Sequence, residues 1–384
     1  MQVGKPSITQ TSIRAALAAL AYTTTDTQDA VALQQLALTD NRVRSVSAPD
    51  TPELRRIAVS NILTTIVEMN IKHYRQLFDL AEPQHNDPVD VVTRQIRLDS
   101  QIHSPELMAW SLLYYRYVRF EFNFTTETFS QLINVDVRTI RRYLRHGIQR
   151  LTERVVEDEW QMRQQNRQRY LMGKIPQQLH VDLFGRQTEQ NHLMTLLHSD
   201  PAAKIEIAGV SGIGKTALVQ TVVDNLISAN QIDHLIWVRH PNYISDIYQE
   251  IISELEAQDI DAAWLRISQF RTVVVVDDIS NLDVRHHDWA QLFEYLSKSV
   301  VFVISRHNQL SVHYTTSVRL EELAFEDMAN LLKQRVLGIS QERTNEIFEQ
   351  VGGHPTAALL MVSHPVQIRK SKHHHRILRN LYER

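Results

Sequence analysis

Residues 204–216 read Lys-Ile-Glu-Ile-Ala-Gly-Val-Ser-Gly-Ile-Gly-Lys-Thr, a short apolar run leading straight into Gly209-x-x-x-x-Gly214-Lys215-Thr216. A loop that turns successive backbone N–H groups onto one anion needs dihedrals that most side chains forbid, and glycines at 209, 212 and 214 permit them. Amides of Gly209, Gly212, Ile213 and Gly214 are therefore expected to cradle a polyphosphate. Lys215 would reach the β- and γ-phosphates, and the Thr216 hydroxyl would sit on Mg2+. The run before the loop reads as a strand and residues 216–227 as a helix, the context in which this pattern binds nucleotide.

Four further apolar runs follow, at 234–238, 272–276, 300–304 and 317–320, separated by helical patterns. Val/Ile runs without polar alternation suit parallel strands covered on both faces, and the intervening lengths accommodate crossover helices. The expected core is a five-stranded, mainly parallel α/β sheet. Residues 272–278, Thr-Val-Val-Val-Val-Asp-Asp, end a buried strand in paired acids, at the edge where such a sheet faces its ligand. Asp277 is expected to hold the metal ion and Asp278 to orient or deprotonate the attacking water, the alternative being a pair that merely caps a strand. The next strand ends in Ser305-Arg306, from which Arg306 could reach a γ-phosphate.

These motifs, in this order, resemble the STAND class of signal-transducing ATPases, which includes the NB-ARC domains. The resemblance covers about residues 182–362 and rests on Leu183-Phe184-Gly185-Arg186 with Glu189, the phosphate loop, Leu235-Ile-Trp237-Val238, Asp277-Asp278, Ser305-Arg306 and Gly353-His354-Pro355. It implies ATP as the nucleotide, adenine flanked by Phe184, Gly185, Arg186 and Pro355, and Arg306 as a phosphate sensor. No Asn-Lys-x-Asp run argues for guanine. In that class a winged helix and a repeat-built sensor usually follow the Gly-x-Pro helix, whereas this 384-residue sequence ends soon after it. The expectation is either a truncated chain or a short relative regulated from its N-terminal half.

Composition narrows the remaining classes. The length suggests two or three domains, and 43% hydrophobic residues suffice for ordinary cores. Lys+Arg 41 against Asp+Glu 44 leaves the whole near neutral, so affinity for nucleic acid must come from a local patch. The absence of cysteine excludes disulfides, thiolate zinc sites and a cysteine nucleophile and fits a reducing compartment, with the cytoplasm as the default. Apolar stretches such as 15–22 and 273–276 fall far short of the roughly 20 residues that cross a bilayer. Arg14 interrupts what would otherwise resemble a leader. The basic stretch 369–376, with three adjacent histidines, reads as a solvated tail.

Residues 1–105 read as helical, with apolar spacing over 13–22, 30–38 and 54–80 and a Pro-rich loop at 81–88. Within 106–156, two helices, 106–119 and 126–133, lead into Asn134-Val-Asp136 and a third helix. Asp136 suits its N-cap, and Val137, Ile140 and Leu144 form an apolar stripe. Arg138, Arg141, Arg142 and Arg145 occupy other faces, with Thr139 among them. This resembles the helix-turn-helix of sigma-like bacterial regulators, and these five residues are the candidate contacts to double-stranded DNA. A solvated arginine face on a structural helix is the plainer alternative. Residues 157–180 turn polar and read as a linker or exposed helix; 181–320 is the phosphate-loop domain and 321–384 a small helical subdomain with the tail.

The function expected from this reading is a slowly hydrolysing ATP switch, using Mg2+, that controls DNA binding by the N-terminal helix-turn-helix as a transcriptional regulator. A nucleotide-dependent homo-oligomer is among the expected states, and no membrane partner is. The rival reading keeps the ATPase, of STAND or AAA+ type, but makes the N-terminal region a dock for protein partners in a defence or assembly role.

Overall fold

The computed structural model describes residues 8–22, 28–176, 183–280, 282, 286–307, 310 and 315–363. The basic, His-rich tail lies outside them. The chain divides into two compact units, Met1–Asn166 and Arg167–Arg384.

The first unit is helical: α1 (Gln10–Tyr22), α2 (Gln28–Gln34), α3 (Ala37–Arg44), α4 (Pro52–Leu77), α5 (Val89–Gln101), α6 (Pro105–Leu113), α7 (Thr126–Ile133) and the start of α8 (Val137–Met172). Apolar residues at helical spacing on α8, namely Ile140, Leu144, Ile148, Leu151 and Val155, join one core with Leu63, Val67 and Ile71 of α4 and Leu112 and Leu113 of α6. Gly147 lets α8 approach α6, since a Cβ there would stand 3.0 Å from Ala109 O and from Leu113. Within this core Arg75 and Asp99 form a fully buried ion pair at 2.6 Å, and Asp99 also accepts from Ser111 Oγ at 2.7 Å. Such a pair is tolerated only when its remaining polar atoms are hydrogen-bonded; Arg75 Nε donates to Ala81 O at 2.7 Å.

Two helical expectations change here. The pattern over 30–38 is two helices, because the buried Glu159 carboxylate accepts from the Ala37 and Leu38 amides, both at 3.0 Å, and caps a new start at α3. The helix expected over 106–119 ends at Leu113 and continues as a π-helical turn, Tyr114–Val118. The polar stretch after residue 156 is the continuation of α8 as far as Met172.

In the second unit α9 (Gln187–Ser199) precedes β1 (Lys204–Ala208), α10 (Lys215–Ser228), β2 (His234–Arg239), α11 (Ile244–Glu254), α12 (Ile260–Ile267), β3 (Thr272–Asp277), α13 (His286–Tyr295), β4 (Val300–Ser305) and β5 (Thr315–Arg319). Among the described residues α14 (Phe325–Arg335), α15 (Gln341–Val351) and α16 (Pro355–Ser363) follow. The strands form one sheet in the order β2-β3-β4-β1-β5, and every pairing is parallel.

Strand periodicity sorts side chains to two layers. Val273, Val275, Phe302 and Ile304 share a core with Leu218, Val222 and Val223 of α10, while Val274, Val276, Val301 and Val303 face Ile247, Ala263 and Leu292 of α11, α12 and α13. Central strands buried on both faces explain the near-continuous Val/Ile runs. The last strand begins earlier than expected, at Thr315; as an edge strand paired only with β1 it tolerates Thr, Ser and Arg and buries only Val318.

Phe302 is fully buried at the middle of this sheet. Phe302→Ala is expected to cost the second unit about 3–5 kcal/mol of stability, read as a lower denaturant midpoint. A loss under about 1 kcal/mol would contradict a central, covered β4.

Candidate functional site

Register brings the chemistry to one edge. Ala208 is paired with Ser305 and Asp277 with Ile304, so β1, β3 and β4 end level and release their loops side by side. This carboxyl edge is where doubly wound sheets hold ligands.

The loop after β1 turns through Gly214, at φ +106°, directly into the first turn of α10. A Cβ at Gly214 would meet nothing within 4 Å. Dihedral strain therefore demands glycine there, and the face it presents is open to a ligand. The N-terminus of α10 adds unpaired amides and a partial positive charge aimed at an anion.

Lys215 Nζ donates to the carbonyls of Gly209 at 2.7 Å and Val210 at 2.9 Å, across the loop it belongs to. Burial pushes its ammonium down to about 8, helped by Arg306 and opposed by Asp278 and Asp277. Thr216 Oγ1 donates to Asp277 Oδ1 at 3.0 Å, and Trp237 Nε1 donates to Asp277 Oδ2 at 3.4 Å. Burial raises the Asp277 carboxyl above its usual value against both hydrogen bonds. A hydroxyl and a carboxylate in hydrogen-bond contact suit a hard divalent ion such as Mg2+, which takes oxygen ligands and completes its shell with phosphate and water.

Asp278 adopts the left-handed backbone region, φ +61°, which Asp tolerates better than most residues. Burial pushes its carboxyl up, but the Ser280 hydroxyl and amide, Arg306 and His240 outweigh that and hold it below the usual range. Arg306 Nη2 is 3.9 Å and His240 Nδ1 3.4 Å from Asp278 Oδ2.

Phe184, Arg186, Ile213, Gly214 and Pro355 line a small cavity of about 60 Å³ together with Leu323 and Leu331. The Arg186 guanidinium is turned to structure: it donates to the carbonyls of Ile213, at 3.3 Å, and Glu321, and pairs with Glu189 at 3.0 Å. Gly185 lies against the Asp327 carboxylate.

Three residues at this edge gain a task from the structure alone. Trp237 orients Asp277. His354 Nε2 lies 2.9 Å from Ser211 O, and Thr356 Oγ1 donates to Gly212 O at 2.8 Å, so the start of α16 holds the loop from behind. A histidine beside Pro355 and a tryptophan in an aliphatic strand were the available signals.

The family model of the NB-ARC domain matches residues 186–356. This segment is an NB-ARC domain. Its glycine loop and five-stranded parallel sheet fit the P-loop nucleotide-binding fold of that family. Solved structures similar to the chain include a STAND protein with a tetratricopeptide repeat sensor from Pyrococcus horikoshii, at 14% identity and a TM-score of 0.37 over 55% of this chain and 33% of that one. The chain thus spans about a third of the length of that protein. The HORMA:CdnC:Trip13 complex of E. coli MS115-1 is similar at 12% identity and a TM-score of 0.35, over 53% of this chain and 89% of that chain. Rhizobiales Trip13 follows at 14% identity and 0.29, covering 44% and 76%. No curated protein matches the sequence.

The helix-turn-helix candidates lie in the first unit. Thr125 caps α7 by accepting from the Thr128 amide at 3.1 Å, and Asn134, at φ +53°, ends it in left-handed geometry. Asp136 Oδ1 accepts from the Arg138 amide at 2.7 Å. Arg138, Arg141, Arg142 and Arg145 are exposed and Thr139 is half-buried, while Ile140 and Leu144 point into the core.

The low Lys215 value sets a pH dependence. Its charge is present below about pH 8 and lost above it, while phosphate groups are largely ionised from about pH 7 upward. ATP affinity measured by calorimetry is therefore expected to fall by up to about tenfold per pH unit above that value. Constant affinity between about pH 7 and about pH 9 would remove Lys215 from the list of phosphate ligands.

Proposed function

We propose that the NB-ARC domain binds Mg2+ and ATP, hydrolyses the nucleotide slowly, and controls DNA binding by a helix-turn-helix in the N-terminal unit. The observation that carries the nucleotide part is the meeting of Lys215, Thr216, Asp277, Asp278 and Arg306 at one sheet edge, with Thr216 and Asp277 in direct contact at 3.0 Å. In this reading the amides of Gly209, Gly212, Ile213 and Gly214 cradle the phosphates, and Phe184, Gly185, Arg186 and Pro355 border the adenine. Thr216 and Asp277 hold the metal ion, which when bound neutralises charge on the β- and γ-phosphates. Lys215 trades two carbonyl partners for anionic oxygens, which are stronger acceptors. Asp278, kept ionised by its neighbours, orients water.

Triphosphate and diphosphate differ by one phosphoryl group, so only residues that touch it can shift a conformational equilibrium. Lys215 and Arg306 are those residues, and Arg306 has Asp278 as a competing partner at 3.9 Å. Coupling to the helices α14 to α16 has a physical route. His354 and Thr356 bond to carbonyls of the phosphate loop, and Leu323 N donates to Gly353 O at 2.8 Å. A change in loop conformation must therefore strain or release the start of α16.

For the DNA part, support comes from α7, a short turn through Asn134 and the exposed arginines at the start of α8. An arginine fork pairs bidentately with guanine or phosphate, which a solvated structural face has no need of.

Lys215→Ala is expected to abolish ATP binding in a filter assay, and undiminished binding would refute the site. Arg141→Ala/Arg142→Ala is expected to lose DNA affinity in a gel shift. With about four phosphate contacts the log-log salt slope should be about −3.6. A slope near zero would favour a protein-docking role for the N-terminal unit, and unaltered binding by the double variant would remove Arg141 and Arg142 as the DNA contacts.

A further inference from the structure

One buried acid takes no part in the chemistry proposed above. Glu206 lies in the middle of β1, three residues before the first glycine of the phosphate loop, and is fully buried. Ile205 and Ile207 face the α10 layer, so Glu206 faces the opposite one, paired in register with Val303 of β4 on one side and Ser317 of β5 on the other, beside the layer that holds Val301, Val303 and Leu310. A carboxylate in such surroundings is costly to bury unless its oxygens are hydrogen-bonded. A valine or isoleucine would complete that layer without the cost.

The bonds of Glu206 show what the charge holds. Oε1 accepts from Ser305 Oγ at 2.7 Å, and Oε2 accepts from the Leu310 amide at 3.3 Å. Ser305 is the last residue of β4 and directly precedes Arg306; Leu310, further along the chain, is buried in the same layer. One carboxylate therefore grips the chain on both sides of Arg306, from the strand that carries the phosphate loop. Hydrogen bonds to an ionised acceptor are about twice as strong as neutral ones, and both here are buried.

We infer that Glu206 is a positioning residue: by holding Ser305 and Leu310 it fixes Arg306 relative to the phosphate loop and thereby sets how strongly the site distinguishes a nucleoside triphosphate from the diphosphate. The inference rests on the assignment of Arg306 to the terminal phosphate. It also accounts for a carboxylate bonded to Ser305 between two isoleucines of a buried strand. Holding Arg306 within a narrow range of positions lowers the ordering cost when it meets its phosphate, and that gain applies to the triphosphate alone.

The test uses the full chain and compares calorimetric affinities for ADP and for a non-hydrolysable ATP analogue, both with Mg2+. Glu206→Gln keeps the shape but sets an amide against the Leu310 N–H or the Ser305 hydroxyl. It is expected to lower the triphosphate preference by about tenfold, leave ADP affinity within about twofold, and add nothing further in combination with Arg306→Ala. Ser305→Ala removes one of the two bonds with little change of volume and is expected to lower the preference in the same direction by less, so a poorly folding Glu206→Gln still leaves a reading. An unchanged preference in both variants, or losses that add to that of Arg306→Ala, would overturn the inference while leaving the nucleotide site intact. An unchanged preference in Arg306→Ala itself would instead overturn the assignment beneath it.

Discussion

Level strand ends are the constraint on which this structure depends. Parallel register pairs Ala208 with Ser305 and Asp277 with Ile304, so the phosphate loop, the paired acids and Arg306 leave the sheet at one height. That register is fixed by burial on both faces. Sliding β3 by a single residue would send Val273 and Val275 to the wrong helix layer and carry Asp277 away from Thr216. Core packing and site geometry are thus one arrangement, and the aliphatic residues of β3 and β4 do as much to build the site as the polar residues at their ends.

The site is also charge-balanced from within. Asp278 lies between Arg306 and His240, Asp277 between Thr216 and Trp237, and Lys215 against two carbonyls of its own loop. Each group that would meet phosphate or metal already has a weaker partner. Binding exchanges partners instead of filling a void, so the net gain depends on differences between acceptors. Arg186 is the exception: its guanidinium ties the carbonyls of Ile213 and Glu321 together and supports the cavity wall from behind.

Much of the second unit was legible in its sequence because the governing signals are local. Glycines at fixed spacing, a strand before them and Val/Ile runs ending in Asp-Asp or Ser-Arg follow from short-range rules of dihedral and burial. What escaped depends on distant partners. The break between α2 and α3 is made by Glu159, more than a hundred residues away. Edge position let β5 begin in threonines, which weaken any apolar signal. Trp237 and His354 stand in the motifs that carry the resemblance, but their tasks, like that of Thr356, emerge only when the fold sets them against Asp277 and the loop carbonyls. Glu206 was visible as an acid alternating with isoleucines, an anomaly for a strand expected to be buried on both faces.

The contacts of His354 and Thr356 with the carbonyls of Ser211 and Gly212 bear on where a functional fragment can end. A carbonyl anchored on the far side keeps its peptide plane from flipping, and on the proposed reading the neighbouring amides would stay turned toward a bound anion. A fragment cut at the close of the sheet would retain every residue of the glycine motif and lose the brace that orients it. Nucleotide affinity in this domain is therefore a property of the stretch reaching Thr356, and truncation boundaries drawn from the motif alone pass through the middle of its support.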